Sequence, residues 1–136
     1  METRYLLDTH ICIYIRQHKP LEVLRRFEKL RPGEAAISVV TAGELLYGAE
    51  KSAHRIASLT RLRELFLVLA PLLLPETAAA AYGAIRSDLE RRGEMIGNND
   101  LWIAAHAAAE RLVLVTNNEK EFSRVRNLKV QNWAEA

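Results

Sequence analysis

Cysteine is almost missing from this 136-residue chain: Cys12 stands alone, which excludes an internal disulfide framework and any cysteine-based zinc site. An excess of charge of one sign is also lacking. Lys plus Arg number 19 and Asp plus Glu 17, a formal net charge of +2. That balance excludes a histone-like or tail-driven nucleic-acid binder, though not a domain with one basic face. No long apolar run occurs. The longest, Phe66 to Pro75, is about half of what a membrane-spanning helix needs. No signal peptide is legible, because Met1-Glu2-Thr3-Arg4 leads directly into a short apolar run that ends at Asp8. Repeats, low-complexity tracts and linkers are missing as well. What is present is 49% apolar and 26% charged residues, a globular composition. The expectation is one soluble, cytoplasmic domain over residues 1–136.

Apolar spacing divides the chain into alternating strands and helices. Tyr5-Leu6-Leu7 reads as a strand closed by the helix-start pair Asp8-Thr9. Pro20 suits the first turn of a helix with Val23, Phe27 and Leu30 on one stripe, stopped by Arg31-Pro32-Gly33. Ala35 to Val40 reads as a buried strand, and Thr41-Ala42-Gly43-Glu44 as a capping box opening the next helix. Ile56, Leu59, Leu62 and Phe66 mark a further helical stripe, and Pro71 assigns Leu67 to Leu74 to a sheet margin or an irregular connection. Glu76 to Arg92 is a helix ended by Gly93, with Ala78, Tyr82, Ile85 and Leu89 on its inner face. Gly97-Asn98-Asn99 is a turn and cap before a short helix from Asp100 to Glu110. Leu112 to Val115 is a strand, Glu119 to Phe122 a helical turn and Leu128 to Val130 a closing strand. This alternation predicts an α/β fold with a central, mainly parallel sheet flanked by helices, and ligands at the carboxyl ends of its strands.

Acidic residues fall at that edge. Asp8 follows the first strand, Glu44 and Asp100 lie in first turns of helices, and Glu121 follows the strand Leu112 to Val115 by one loop. Each has a plain alternative: Asp8 as a helix cap, Glu44 as the partner of Thr41 in a capping box, Asp100 as a complement to a helix dipole, Glu121 as a solvated charge. Together the acids would repel one another unless a cation joined them. Oxygen-only ligands select hard ions such as Mg²⁺ or Mn²⁺, which can polarise a phosphoryl oxygen and activate water. Phosphodiester hydrolysis is the chemistry this pattern suggests.

The whole arrangement resembles a known family. Leu6-Leu7-Asp8-Thr9, the segment Ser38 to Gly48 (SVVTAGELLYG), the segment Ile96 to Ala107 (IGNNDLWIAAHA) and Leu114-Val115-Thr116-Asn117-Asn118 leading to Glu121-Phe122 and Val130-Gln131-Asn132-Trp133 are similar to PIN domains. In particular they resemble the VapC ribonuclease toxins of VapBC toxin–antitoxin pairs. The resemblance implies a PIN-like three-layer fold and an endoribonuclease that depends on Mg²⁺, with Mn²⁺ able to substitute. It implies that Asp8 and Asp100 are direct metal ligands, and that Glu44 completes the site or orients a metal-bound water. Glu121 maps onto the family's fourth acid, and Thr9, Asn117 and Asn118 onto auxiliary contacts with metal waters or phosphate. His10 stands where Asn or Ser often follows the Asp-Thr pair, leaving RNA contact and space filling as its two readings. Asn117 and Asn118 occupy a strand end where an Asp would support a second ion. One tightly held ion and a weak, substrate-dependent second one is therefore the expectation.

The same resemblance implies an RNA substrate, a homodimer, a VapB-like antitoxin partner, higher toxin–antitoxin assemblies, and DNA contact only through the antitoxin. An antitoxin Arg would pair with Asp8, Glu44 or Asp100 while apolar side chains fill a groove between the helices around Leu45 and Leu59. Two other readings compete: a PIN nuclease of RNA processing or repair, and a non-catalytic RNA-binding domain. Clustered, mutually repelling acids argue against the latter. Outside these motifs, His106 reads as a packed structural histidine, Cys12 as an inert buried thiol, and Trp102 and Trp133 as core or interface anchors. Basic residues concentrate between Arg16 and Arg31 and between Lys51 and Arg63, as RNA-binding patches or as solvated helix faces.

Overall fold

Successive side chains of a strand face opposite sides of its sheet, and the two central strands use that alternation to build two cores. In β1 (Tyr5–Leu7), Leu6 belongs to one core with Leu89, Leu101 and Ile103, and Leu7 to the other with Ile11, Ile37 and Leu62. β4 (Val113–Val115) repeats the division with Leu114 and Val115. The computed structural model describes residues 2–134, so the outermost ends of the expected 1–136 domain lie outside the described residues. β2 (Ala35–Ser38), β3 (Pro71–Leu72) and β5 (Val130–Gln131) complete a sheet of order β3-β2-β1-β4-β5, in which every adjacent pair is parallel.

Parallel neighbours require crossovers, and helices supply them. α1 (Thr9–Gln17) and α2 (Leu21–Glu28) join β1 to β2; α3 (Val39–Glu50) and α4 (Arg55–Val68) join β2 to β3. α5 (Thr77–Arg92) and α6 (Asn98–Glu110) return the chain to β4, and the single turn α7 (Glu119–Phe122) leads to β5. Val23, Leu45 and Leu62 bring α2, α3 and α4 onto the Leu7 face, whereas Leu89, Ala104 and Phe122 bring α5, α6 and α7 onto the Leu6 face. The result is the expected three-layer α/β architecture. The chain steps outward from β1 to β2 and β3, then crosses back to β4 on the other side. The order thus reverses between β1 and β4, and the crevice at their carboxyl ends is where such sheets place ligands.

Several expected boundaries move. β2 stops at Ser38, whose Oγ accepts from the Val40 N–H at 3.1 Å and so caps α3 at Val39, two residues before Thr41, where propensity alone favoured strand. The capping box is not formed: Thr41 is buried and its hydroxyl finds no partner. α6 starts at Asn98 with Gly97 at its cap, so Asn98 and Asn99 are helical residues. On α4 the inward positions are Leu62 and Leu65, with Leu59 and Phe66 beside them; Ile56 is 77% exposed. β5 lies at Val130–Gln131, slightly later than expected. Leu45, on one of the helices expected to border a groove, is itself core. Among the described residues no helix is long and apolar enough to cross a membrane.

Candidate active site

Asp8 and Thr116 are equivalent residues of neighbouring strands. Leu7 pairs with Val115, and each of the two polar residues is the next one along, at the carboxyl edge on either side of the β1–β4 crevice. Asp8 is only 6% exposed, and both carboxylate oxygens are engaged. Oδ1 accepts from the Ile11 N–H at 3.1 Å, making Asp8 the N-cap of α1, and Oδ2 accepts from the Thr116 hydroxyl. That hydroxyl is aimed by its own acceptor role toward the Asn118 N–H, at 2.9 Å. The capping and site readings of Asp8 are therefore compatible, since each oxygen retains a lone pair beyond the one it uses.

Glu44 is half-buried one and a half turns into α3, and it does not cap. Its Oε1 accepts from the Thr9 hydroxyl at 2.5 Å and its Oε2 from the Asn99 amide at 3.4 Å, tying α3 to the starts of α1 and α6. Asp100 lies half-buried in the first turn of α6, where a carboxylate also suits the helix dipole. Glu121 is fixed on α7 by the Asn118 side-chain amide. Asn117 points elsewhere: it donates to the Tyr14 hydroxyl at 2.9 Å and accepts from Asn132 at 3.4 Å. His10 is exposed on α1 and near enough to Asp8 and Asp100 to lower the pKa of both, so it faces the acids and fills no core.

Electrostatics show that the acids share one neighbourhood. Burial raises the Asp8 carboxyl above its ordinary value; the Thr116 and Ile11 hydrogen bonds oppose that, and Glu44 adds to it. Burial first, then the charges of Glu121, Glu44 and Asp8, push Asp100 from 3.8 to about 6. Among the described residues no three acid, imidazole or thiol groups converge tightly enough to form a closed cage for an ion. An open site nevertheless fits a hard cation. The donors are all oxygen, they repel one another, and Mg²⁺ typically takes one or two carboxylates and keeps several waters.

The raised Asp100 carboxyl carries a stability prediction for the chelator-treated protein. Between pH 3.8 and about 6 the unfolded chain releases this proton before the folded one does, so the Asp100 contribution falls as pH rises through that window. Asp100→Asn removes the titration. At pH 7 the variant is expected to be more stable than the wild type by about 1–2 kcal/mol, after allowance for solvent at this half-buried position, and by nothing near pH 3.5. Thermal melts at the two pH values check this; a variant that melts lower at pH 7 would make Asp100 chiefly a helix-start determinant.

Sequence reasoning gave Thr116 and Tyr14 no role and Asn99 only one in a turn and cap, although Thr116 follows its strand just as Asp8 follows β1. Outside the site, His106 is fully buried with neither ring nitrogen partnered, and burial lowers its pKa, which suits a neutral packed ring. Cys12 is buried, and burial raises its thiol pKa far beyond the reactive range. Trp133 packs edge-on against Tyr5, and Trp102 stacks on Tyr82 at 3.9 Å.

Comparison with known proteins agrees with this architecture. The sequence profile of the PIN domain matches residues 5–128. Ribonuclease VapC2 of Haemophilus influenzae is 42% identical over 130 residues, covering 96% of this chain and 98% of that protein. The tRNA(fMet)-specific endonuclease VapC of Shigella flexneri is 42% identical over 132 residues, with the same coverage of 96% and 98%. Among solved structures, VapBC2 from Rickettsia felis bound to a DNA fragment from its promoter superposes with a TM-score of 0.87 at 37% identity, over 98% of this chain and 99% of that one. DNA-bound VapBC from Salmonella typhimurium gives 0.90 at 37% identity, over 96% and 98%.

Proposed function

The chain belongs to the PIN domain family, and within it to the VapC group, and from that membership we propose that it is a metal-dependent endoribonuclease acting as the toxin of a type II toxin–antitoxin pair. What supports this reading is that the charges of Glu121, Glu44 and Asp8 all act on Asp100, at the sheet edge where the strand order reverses. Asp8 and Asp100 would hold Mg²⁺, with Mn²⁺ as a substitute. Bound there, the ion would supply polarisation of a phosphoryl oxygen and a more acidic water for in-line attack. The Thr116 hydroxyl orients Asp8 and opposes the rise in its carboxyl pKa that burial causes. Glu44, fixed by Thr9 and Asn99, would complete the site or orient a metal-bound water. The Glu121 charge adds to the negative potential at Asp100, and Thr9 and Asn118 would supply auxiliary polar contacts, whereas Asn117 would have to leave Tyr14 and Asn132 to do so.

A VapB-like antitoxin belongs to the same reading, supported by similarity to the DNA-bound VapBC assemblies; a homodimer and DNA contact only through the antitoxin are further parts of the proposal. The direct experiment incubates purified, antitoxin-free protein with RNA and follows cleavage on gels. Cleavage is expected with Mg²⁺ or Mn²⁺, none in EDTA, and recovery when metal is restored. Full activity in chelator would overturn the metal mechanism. Coexpression with a short protein encoded beside this one should yield a complex with little activity, and undiminished cleavage by the intact complex would remove the toxin–antitoxin half.

A further inference from the structure

One face of α3 remains uncovered where it leaves the acidic site. Val40, Gly43, Glu44, Tyr47, Gly48 and Lys51 follow helical spacing and line an open cleft of about 680 Å³. Thr9 and Asn99 close its inner end, the same two residues that hold Glu44. The cleft thus begins at Glu44, the one acid of the site that lines it, and runs along α3 for about 10 Å to Lys51.

Its chemistry changes along that path. The Tyr47 ring is 65% exposed, with the Lys51 ammonium 4.8 Å from its centroid. Among the described residues Lys51 makes no ion pair, in contrast to Arg55 just beyond it, which is bound to Glu50. Gly43 and Gly48 sit inside the helix, where glycine costs stability relative to alanine. A Cβ at either would meet nothing within 4 Å, so no neighbour in the fold requires these glycines. A glycine-lined floor, an exposed tyrosine and a cation that forms no ion pair suit a nucleotide: a base can stack on the ring face that Lys51 leaves open, and its phosphate needs a cation that the acids cannot provide.

The geometry points to this cleft as the subsite for the nucleotide adjoining the scissile phosphate of single-stranded RNA, with its base on Tyr47 and its phosphate at Lys51. This assignment rests on the ribonuclease reading above. The outer end, an aromatic ring beside a cation that forms no ion pair, favours a base and its phosphate over a cationic protein segment, which the acidic inner end alone would suit.

The test uses a fluorescein-labelled, mixed-sequence single-stranded RNA of 12 nucleotides. Fluorescence anisotropy in the Asp8→Asn background gives affinity, and cleavage by otherwise unaltered protein gives kcat and KM. Tyr47→Ala is expected to weaken binding by about 5–100-fold and Tyr47→Phe to leave it unchanged, as stacking requires the ring and not the hydroxyl. Lys51→Ala should weaken binding at low salt and reduce the slope of log affinity against log salt by about one ion. Both alanine variants should act through KM more than kcat. Gly48→Leu fills the cleft without removing a contact; it should weaken binding while the melting temperature does not fall. Unchanged RNA affinity in Tyr47→Ala and Gly48→Leu, with the parent protein still cleaving, would overturn the subsite and leave the ribonuclease reading intact. A change of oligomeric state in Tyr47→Ala by light scattering, with RNA affinity unaltered, would assign the face to protein contact instead. If the parent protein cleaves no RNA under any metal, the underlying reading fails, and the subsite with it.

Discussion

Asp8→Asn is expected to slow RNA cleavage by at least about 10²-fold, equivalent to about 2.7 kcal/mol of barrier, with the fold intact. The substitution isolates charge from shape. Asn is as good an N-cap as Asp, so the Ile11 N–H keeps an acceptor and α1 keeps its start. The Thr116 hydroxyl can still donate to the side-chain oxygen or accept from the amide. A buried charge is removed, so stability without metal should not fall. What disappears is one anionic ligand at the centre of the site. Asp100→Asn should produce a loss of similar size, and its stabilisation of the metal-free protein separates that loss from misfolding. Single-turnover cleavage with circular dichroism melts checks both variants. Near-normal cleavage by Asp8→Asn would exclude it as a metal ligand.

Thr116→Val should raise the Mg²⁺ concentration needed for half-maximal cleavage by about 10–100-fold. Valine matches threonine in volume but lacks the hydroxyl, which is completely buried and bonded to Asp8. That hydrogen bond is the largest influence opposing the effect of burial on the Asp8 carboxyl. Without it the carboxyl binds a proton more readily, so proton and metal compete on worse terms for the metal, and the pH at which activity rises should move upward. The Asn118 N–H also loses its acceptor, at a cost of about 1–3 kcal/mol of stability. Thr116→Ser retains the hydroxyl and should recover most of the metal affinity. Metal titrations of the three proteins provide the readout. An unchanged Mg²⁺ dependence in Thr116→Val would reduce Thr116 to a packing residue.

The layered fold was legible because its signals are periodic. Leu6-Leu7 and Leu114-Val115 read as strands, and the helix from Glu76 to Arg92 announces its end with Gly93, which takes the left-handed conformation at φ 66°. Boundaries were less legible where two residue preferences compete. Val39 and Val40 favour a strand, but one serine hydroxyl before them is enough to begin α3. The acids could be found because each follows an element end. Their connections could not, because they link residues far apart in the chain. Thr9 and Glu44 are 35 positions apart, and Asp8 and Thr116 are 108 apart. The unpartnered Thr41 hydroxyl shows the same limit from the other direction, since a capping pattern in sequence cannot reveal that its residue is facing the core.

The place of Asp8 on the middle strand divides the site into halves of unequal stiffness. Asp8 and Thr116 directly follow β1 and β4, which are flanked by partners on both sides and buried on both faces, so displacing them requires opening the centre of the domain. Glu44 and Asp100 sit in helices, secured to one another through side-chain contacts at a more accessible edge, and Glu121 rides on a single helical turn. One half therefore keeps its shape for as long as the protein is folded, and the other can yield locally at far lower cost. Adjustment to a ligand would then fall on the helix-borne acids closing toward Asp8, as a jaw moves against an anvil.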